Sequence, residues 1–320
     1  MTKKLFMTKL MAQVPYDMAG MRLDQVLAEV FADYSRSKLQ TWIKAGRVQV
    51  NGLPLKAKDK LDGGEEIYLD AEPEIVVIAQ AEPIPLEIIY EDDSILIINK
   101  PAGLVVHPAV GNWHGTLVNA LLHHDASLDT LPRAGIVHRL DKDTSGLLMI
   151  AKTLAAHNSL VEQLQARNIT REYWAIAKGR MTAGGTVDEP IARHPSDRKR
   201  YTVREDGKEA VTHYRVVERF KHHTFIRVKL ETGRTHQIRV HLTHVRFPLL
   251  GDPIYGGRFQ MPPHCTTELE GHLRSFKRQA LHAAKLGLKH PVTGEYLEWE
   301  QPLPEDMAQL LQALRHNELT

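Results

Sequence analysis

The sequence predicts an α+β protein, with a large domain around a mostly antiparallel mixed β-sheet and a small N-terminal α/β module. Three observations predict this fold class. Apolar residues recur at helical spacing over residues 22–46, several later segments alternate apolar and polar residues with a period of two, and a proline-containing stretch at 71–87 separates the two patterns. At 320 residues the chain is long enough for one large and one small domain.

The N-terminal module is predicted to begin with two helices. Residues 22–31 and 36–45 each carry apolar side chains at helical spacing, and Gly46 is placed to end the second helix. The alternation over residues 48–50 predicts a short strand, which the Asn51-Gly52 pair closes with a tight turn. A further hairpin and strand are expected in the segment LDGGEEIYL.

Basic residues cluster on or near the second predicted helix. They are Arg36, Lys38, Lys44 and Arg47. The chain as a whole carries 41 basic and 39 acidic residues, so only such local clustering points to a nucleic acid. We expect these four side chains to contact RNA, although a solvated basic face is an equally common explanation of such a cluster.

A domain boundary is expected near Glu82, which divides the chain into residues 1–82 and 83–320. Beyond it, strands are predicted in IIYEDDSILIINK and GLLMIAK, and Thr153 is placed to cap a following helix. The segments REYWAIAKG, EAVTHYRVVERF and HTFIRVKLE show the alternation of adjacent antiparallel strands. These elements predict the sheet of the large domain.

Composition argues against several classes of protein. No apolar run approaches the ~18 residues of a membrane span, and no signal-like segment begins the chain, so we expect a cytoplasmic protein. Cys265 is the single cysteine, which leaves no internal disulfide. The 18 histidines lack metal-ligand spacing and no phosphate-binding glycine motif is present, so neither metal nor cofactor is expected.

Three segments combine catalytically capable side chains with strand or turn contexts: HRLDKDTSGLLMIAK, TREYWAIAKG and LETGRTHQIRVHL. In the first, Asp141 precedes a predicted strand, and loops at strand ends are common positions for catalytic residues. In the third, Thr235 is expected to cap a helix with Arg239 near its first turn, from which the guanidinium can pair bidentately with a carboxylate. Taken singly, each segment is more often structural.

Together, in this order, the three segments resemble the motifs of the RluA-type pseudouridine synthases. NKPAGLVVHP, PRAGIVHRLDKDTSGL, PLLGDPIYGG and RQALHAAKLGLKHPVTG extend the resemblance over nearly the whole chain, and the N-terminal module resembles an S4-type RNA-binding domain. The resemblance implies a pseudouridine synthase fold and the isomerisation of uridine in RNA. It also implies that no metal or other cofactor takes part.

The resemblance assigns roles to four residues. Asp141 corresponds to the catalytic aspartate, Tyr173 to the residue that lies against the target base, and Arg239 to the ion-pair partner of Asp141. Arg139 corresponds to a residue that enters the RNA stack after the base has left. One aspartate either attacks the anomeric carbon or removes the sugar 2′ proton, and both routes stay open.

The segment RHPSDRKRYTVREDGK adds a second basic cluster, between two predicted strands. Arg198, Lys199 and Arg200 are expected to bind phosphates there, whereas an isolated run of this kind is more often a solvated hairpin. The resemblance implies large-subunit ribosomal RNA as the partner, in a stem-loop, either naked or in an assembling particle. We expect a monomer.

Two other functions remain open from the sequence. A non-catalytic RNA-binding or ribosome-assembly factor needs only the N-terminal module and the basic segment. A histidine-dependent metallohydrolase rests on the histidine count alone, and sensitivity to a chelator would distinguish it.

Overall fold

The computed structural model describes residues 8–31, 34, 36–71, 79–108, 112–197 and 199–319. The chain divides into two compact units between residues 78 and 79. Residues 72–78 of the expected linker lie outside the described residues. Within the described residues, no helix combines the length and the apolar composition needed to cross a bilayer.

The small unit is a three-stranded antiparallel sheet in the order β1-β3-β2 with two helices. Its elements are β1 (Thr8–Gln13), α1 (Leu23–Val30), α2 (Arg36–Lys44), β2 (Val48–Val50) and β3 (Glu66–Ala71). The predicted helices pack through Leu27 and Leu39, both fully buried, onto Ile67 of the sheet. Asn51 and Gly52 have φ of 49° and 80° and form the predicted turn, which confirms the local pattern of this unit.

Among the described residues, the large unit contains five α-helices, a nine-stranded sheet and a two-stranded sheet. Its elements are β4 (Glu87–Glu91), β5 (Ile95–Lys100), α3 (Leu117–His124), β6 (Ser145–Ala151), α4 (Leu154–Gln165), β7 (Thr170–Lys178), β8 (Gly185–Asp188), β9 (Ile191–Arg193), β10 (Tyr201–Val203), β11 (Val211–Arg219), β12 (His223–Leu230), α5 (Gln237–His244), α6 (Thr267–Ser275), β13 (Leu281–Lys289), β14 (Tyr296–Glu300) and α7 (Glu305–Leu319). Nine of these strands form one sheet in the order β4-β5-β6-β13-β7-β12-β11-β8, with β14 on β13. Every pair in it is antiparallel except β6 with β13, so the predicted α+β class is confirmed.

Strand β6 is a near-continuous apolar run because both of its faces are covered by helices. Leu148 and Ile150 pack on the face covered by α3 and α5, whereas Leu147 and Met149 pack on the face covered by α4. Both faces of β6 are therefore buried. Gly146 is required where β6 meets β13, because a Cβ there would lie 2.2 Å from the Ala283 carbonyl oxygen.

The two predicted helix caps have different outcomes. Thr153 caps α4 as expected, since its side chain accepts from the Ala156 N–H. The prediction that Thr235 caps α5 is wrong, because the N-cap is His236, which has a left-handed backbone and no side-chain cap bond. The Gln237 side chain accepts from the Arg234 N–H at 2.9 Å instead, so the turn is closed from within the helix.

Candidate active site

The loop that carries Asp141 leads directly into β6. The Thr144 N–H donates to the Asp141 carbonyl at 3.1 Å and closes a turn. The next carbonyl oxygen, that of Lys142, accepts from the Gly103 N–H at 2.9 Å and from Lys100 Nζ at 3.0 Å. These hydrogen bonds hold the backbone of the loop in place. The Asp141 side chain keeps 19% of its surface exposed.

Lys100 is a fully buried lysine behind this loop. Its ammonium donates to three backbone carbonyls at 2.8 to 3.0 Å, including that of Lys142. Burial lowers the pKa of Lys100 to about 8, while the charges of Asp143 and Asp141 raise it. The group is therefore still mostly protonated at pH 7, and it fixes the loop by donating all three of its hydrogens.

Arg239, the third residue of α5, joins two carboxylates. Its Nη1 donates to Asp141 Oδ2 at 2.9 Å, so the structure brings this predicted pair together. Its Nε and Nη2 donate to Asp252 at 2.7 and 2.9 Å, so the two-point contact expected of this arginine is made with Asp252. Burial lowers the pKa of Arg239, but the hydrogen bonds and charges of both carboxylates raise it further, and the guanidinium stays charged.

Sequence reasoning missed the part that Asp252 plays. Its side chain is fully buried and also accepts from the Ile254 and Tyr255 N–H groups at 2.9 and 3.0 Å. Burial raises the pKa of Asp252, but the hydrogen bond and charge of Arg239 hold it below its usual value. An aspartate followed by proline is typical of a turn in which the aspartate side chain accepts from the backbone N–H groups that follow it. This local pattern does not reveal that Asp252 also pairs with Arg239.

Tyr173 lies in β7, where it pairs with Val228 of β12 and Ala283 of β13. It is buried, and it lines a cavity of about 50 Å³ together with Asp141 and Arg239. Burial raises the pKa of Tyr173, and the charge of Asp141 raises it further against the opposing charge of Arg171. The structure therefore places all three predicted catalytic residues around one small cavity.

His236 is a further neighbour of Asp141 that sequence reasoning did not single out. Its Nε2 lies 3.9 Å from Asp141 Oδ1, and its Nδ1 lies 2.8 Å from the Tyr255 hydroxyl oxygen. Burial lowers the pKa of His236, with the charge of Asp141 acting in the opposite direction. The Tyr255 hydroxyl also accepts from the Tyr201 N–H at 2.8 Å.

The basic segment, expected to lie between two strands, itself forms the antiparallel hairpin of β9 and β10. Arg200 lies over the ring of Tyr255, with its Cζ 5.6 Å from the centroid, and Lys199 is exposed. Arg198 lies outside the described residues. Arg139, two residues before Asp141, is exposed. Arg200 is therefore a basic residue of this segment that contacts Tyr255, the hydrogen-bond partner of His236.

The basic residues of the small unit do not form one uniform surface. Arg36 donates to the buried Asp24 at 2.9 Å, and the Lys38 ammonium lies 5.0 Å from the Trp42 ring centroid. Lys44 is exposed at the end of α2. Arg47 lies 3.9 Å from Asp70. Their contacts with RNA stay a prediction.

A wider groove lies on the other face of the sheet. Its volume is about 1030 Å³, and Glu172, Arg227 and Lys229 line it, from positions that alternate with Tyr173 and Val228. None of the predicted catalytic residues lines this groove. Within the described residues no three His, Cys, Asp or Glu side chains are grouped to hold a metal. The three predicted catalytic residues line the smaller cavity instead.

Two segments of the chain match models of known protein families. Residues 94–244, which include Asp141, Tyr173 and Arg239, match the model of a family described as RNA pseudouridylate synthase. Residues 21–67 match the model of the S4 domain. The two matches fall in the large and the small unit respectively.

Relatives match over almost their whole length. A protein of Pseudomonas aeruginosa named ribosomal large subunit pseudouridine synthase D is 56% identical over 96% of this chain and 96% of its own. A protein of the same name from Escherichia coli strain K12 is 54% identical over 96% of this chain and 94% of its own.

Solved structures extend the comparison to the fold. The human protein RNA pseudouridylate synthase domain containing 4 has a TM-score of 0.55 and 27% identity, and covers 72% of this chain and 93% of its own. Human RNA pseudouridylate synthase domain containing 1 has a TM-score of 0.53 and 25% identity, over 73% and 96%.

Proposed function

The chain belongs to the RNA pseudouridylate synthase family, and from that premise we propose that it isomerises uridine in large-subunit ribosomal RNA with Asp141 as its catalytic carboxylate. One observation carries the proposal. Asp141 is partly exposed, held by a buried arginine and placed with Tyr173 around one cavity, within the segment that matches the family. Both relatives described above carry the name of large-subunit pseudouridine synthases, which supports the choice of RNA.

The reaction breaks the bond between N1 of uracil and C1′ of ribose, turns the base and joins C5 to C1′. The hydrogen on C5 then leaves as a proton and N1 gains one, so the reaction needs no oxidant and no water. Asp141 either attacks C1′ to form a temporary ester or removes the 2′ proton. Either route requires an ionised carboxylate, and the guanidinium of Arg239 stabilises that charge.

Tyr173 contributes a flat surface for the uracil ring and does not act as a proton acceptor. Because burial raises the pKa of its phenol, the hydroxyl is neutral at pH 7. A neutral, buried ring beside Asp141 is suited to stacking on the detached uracil and to keeping it from escaping.

RNA binding is divided between two parts of the chain in this proposal. Residues 1–82, which contain the S4 match, bind RNA, and residues 83–320 carry the chemistry together with Arg139 and the β9–β10 hairpin. The target nucleotide has to leave its stem or loop to reach Asp141. The proposal includes a cytoplasmic reaction, which an rRNA substrate supports.

A non-catalytic assembly factor is less consistent with the site. Binding alone does not require a buried arginine between two carboxylates, because taking such charges out of water costs several kcal/mol per ion. That arrangement is useful where one carboxylate has to stay charged beside a bound base.

The Asp141→Asn variant tests the proposal. It keeps the shape of the side chain but removes its charge, so we expect pseudouridine formation in a large-subunit ribosomal RNA transcript to fall ~10³-fold or more with RNA affinity changed only a few fold. Asp143→Asn, in the same loop, is the matched control and should keep most of the activity. Substantial turnover by Asp141→Asn would refute the assignment.

A further inference from the structure

His236 has an unusual backbone for its residue type. Its φ is 57°, in the left-handed region that residues other than glycine adopt at a cost of ~1 kcal/mol or more. It immediately precedes α5, and Arg239 follows three residues later, on the same side of the helix. The side chain of His236 is 16% exposed, so the strained backbone directs the imidazole into the protein beside Asp141.

The contacts of Tyr255 indicate which nitrogen of His236 carries the proton. The Tyr255 hydroxyl oxygen accepts from the Tyr201 N–H at 2.8 Å, so its own hydrogen is left for an acceptor. Among the described residues, the acceptor within hydrogen-bond distance is Nδ1 of His236, at 2.8 Å. A neutral imidazole that accepts at Nδ1 carries its hydrogen on Nε2, the nitrogen that faces Asp141 Oδ1.

The surroundings of His236 favour the neutral ring. Burial lowers its pKa, and the positive charges of Arg239 and Arg139 act in the same direction. The charges of Asp141 and Asp252 act against them without reversing the net shift. The imidazole is therefore a neutral donor at pH 7, not a second cation beside the carboxylate.

We propose that His236 is a positioning residue that orients the Asp141 carboxylate through its Nε2–H, and that Tyr255, in the turn after Asp252, holds His236 in place. This inference rests on the proposed function, because it presupposes that Asp141 is the reacting group. Oδ2 of Asp141 is bound by Arg239, whereas the described residues offer Oδ1 no hydrogen bond. The 3.9 Å separation is of the kind that shortens when the substrate binds.

Tyr201 connects the hydrogen bonds of Tyr255 and His236 to the segment that is expected to bind RNA. Tyr201 begins β10, immediately after Lys199 and Arg200 of the basic hairpin. Phosphates bound by that hairpin fix the backbone N–H that holds the Tyr255 hydroxyl, and thereby the imidazole. An RNA seated on the hairpin thus stabilises the arrangement in which Asp141 has both oxygens fixed.

Two substitutions of His236 separate its two nitrogens. In His236→Asn the amide reaches only the position of Nδ1, and asparagine tolerates the left-handed backbone. In His236→Gln the longer amide reaches the position of Nε2 and keeps a donor towards Asp141. We expect His236→Asn to lower the single-turnover rate at saturating RNA by ~10- to 100-fold with unchanged RNA affinity, and His236→Gln to recover a large part of that rate.

Tyr255→Phe tests the second half of the proposal. It keeps the ring and removes the hydroxyl that holds His236. It should lower the single-turnover rate in the parent but cause little further loss in the His236→Asn background, because both changes act on one contact. Additive losses would show that Tyr255 acts independently of His236 and would overturn this half.

His264→Asn is the matched control, because His264 is exposed and has the same left-handed φ of 57°. It should leave the rate unchanged, and thermal unfolding should show that all variants are folded. Equal losses in His236→Asn and His236→Gln, or a parental rate in His236→Asn, would overturn the proposal. Asp141→Asn in the same assay distinguishes a failure of the proposed function from a failure of the positioning role. Substantial turnover by Asp141→Asn would refute the proposed function. An inactive Asp141→Asn together with a fully active His236→Asn would refute only the positioning role.

Discussion

Each of the two units contains a carboxylate paired with arginine, and the two are built differently. Asp24 of the small unit is fully buried and accepts hydrogen bonds from the side chains of Arg22, Arg36 and Gln40 at 2.8 to 3.4 Å. Asp141 of the large unit is 19% exposed and accepts one, from Arg239. A fully buried carboxylate that accepts several hydrogen bonds holds elements together, whereas one that keeps exposed surface can be reached by a substrate.

The third carboxylate, Asp252, shows how the large unit achieves this. It is as buried as Asp24, and it takes the two-point contact of Arg239 together with two backbone N–H groups. Arg239 is thereby fixed by a structural partner and still presents Nη1 to Asp141. The large unit therefore separates the stabilising carboxylate from the one proposed to react, whereas Asp24 of the small unit is of the stabilising kind.

The largest expected difference between the units is their response to acid. Burial lowers the pKa of His138 to about 3 and those of His107, His223 and His282 to about 4. In the unfolded chain these groups take up protons below about 6.5, so between pH 6.5 and 4 the unfolded state binds more protons and each histidine removes ~1.4 kcal/mol of stability per pH unit at most.

The small unit should resist the same change. Residues 1–78 contain no histidine, and the lowered pKa of Asp24 means that its contribution is lost only below about pH 4. Hydrogen exchange at pH 5 and pH 7, corrected for the intrinsic rate, should show lost protection in β6 and β13 and retained protection in α1 and β3. Earlier loss in the small unit would contradict this explanation.

The next effect concerns Arg239. Arg239→Ala leaves two unpaired carboxylates, one of them fully buried, and should destabilise the protein by ~3 to 5 kcal/mol and nearly abolish activity. Arg239→Lys keeps the charge but loses the two-point contact, so it should recover part of the stability and less of the rate. Denaturant unfolding measures the stability, and single-turnover rates against pH measure the activity.

Arg274→Ala is the control for this pair. Arg274 forms an exposed i,i+4 pair with Glu270, so its loss should cost less than ~0.5 kcal/mol and leave the rate unchanged. An Arg239→Ala variant with the parental rate and pH profile would show that Arg239 is not the functional partner of Asp141.

Local patterns predicted the elements of both units well, since apolar spacing reports which face of a helix or strand is buried. The helices at 22–31 and 36–45, the Asn51-Gly52 turn and the buried strand β6 all depend on neighbours in the chain. The cap of α5 was predicted wrongly because its left-handed start is stabilised by the side chain of Gln237, from within the helix.

The residues of the site likewise include some that local motifs predicted and some that they did not. Asp141, Tyr173 and Arg239 came from motifs, which mark individual residues, and the structure places them together. Asp252 and His236 were missed because their importance lies in contacts with residues 13 and 95 positions away, which leave no periodic signal. Arg36 was predicted from charge alone, which does not reveal its bond to Asp24.

The smallest effect expected is that of Asp24→Asn, and it tests the comparison from the other side. The change removes the charge that Arg22 and Arg36 share but keeps an acceptor, so it should destabilise the small unit by ~1 to 3 kcal/mol. Because Asp24 lies in the small unit, whereas the proposed catalytic residues lie in the large unit, the single-turnover rate at saturating RNA should stay parental while the dissociation constant for RNA rises. Asp17→Asn, an exposed aspartate of the same unit, should change stability by less than ~0.5 kcal/mol. If Asp24→Asn instead lowers the rate at saturation as Arg239→Ala does, the small unit takes part in the chemistry and the contrast between a structural and a reactive carboxylate fails.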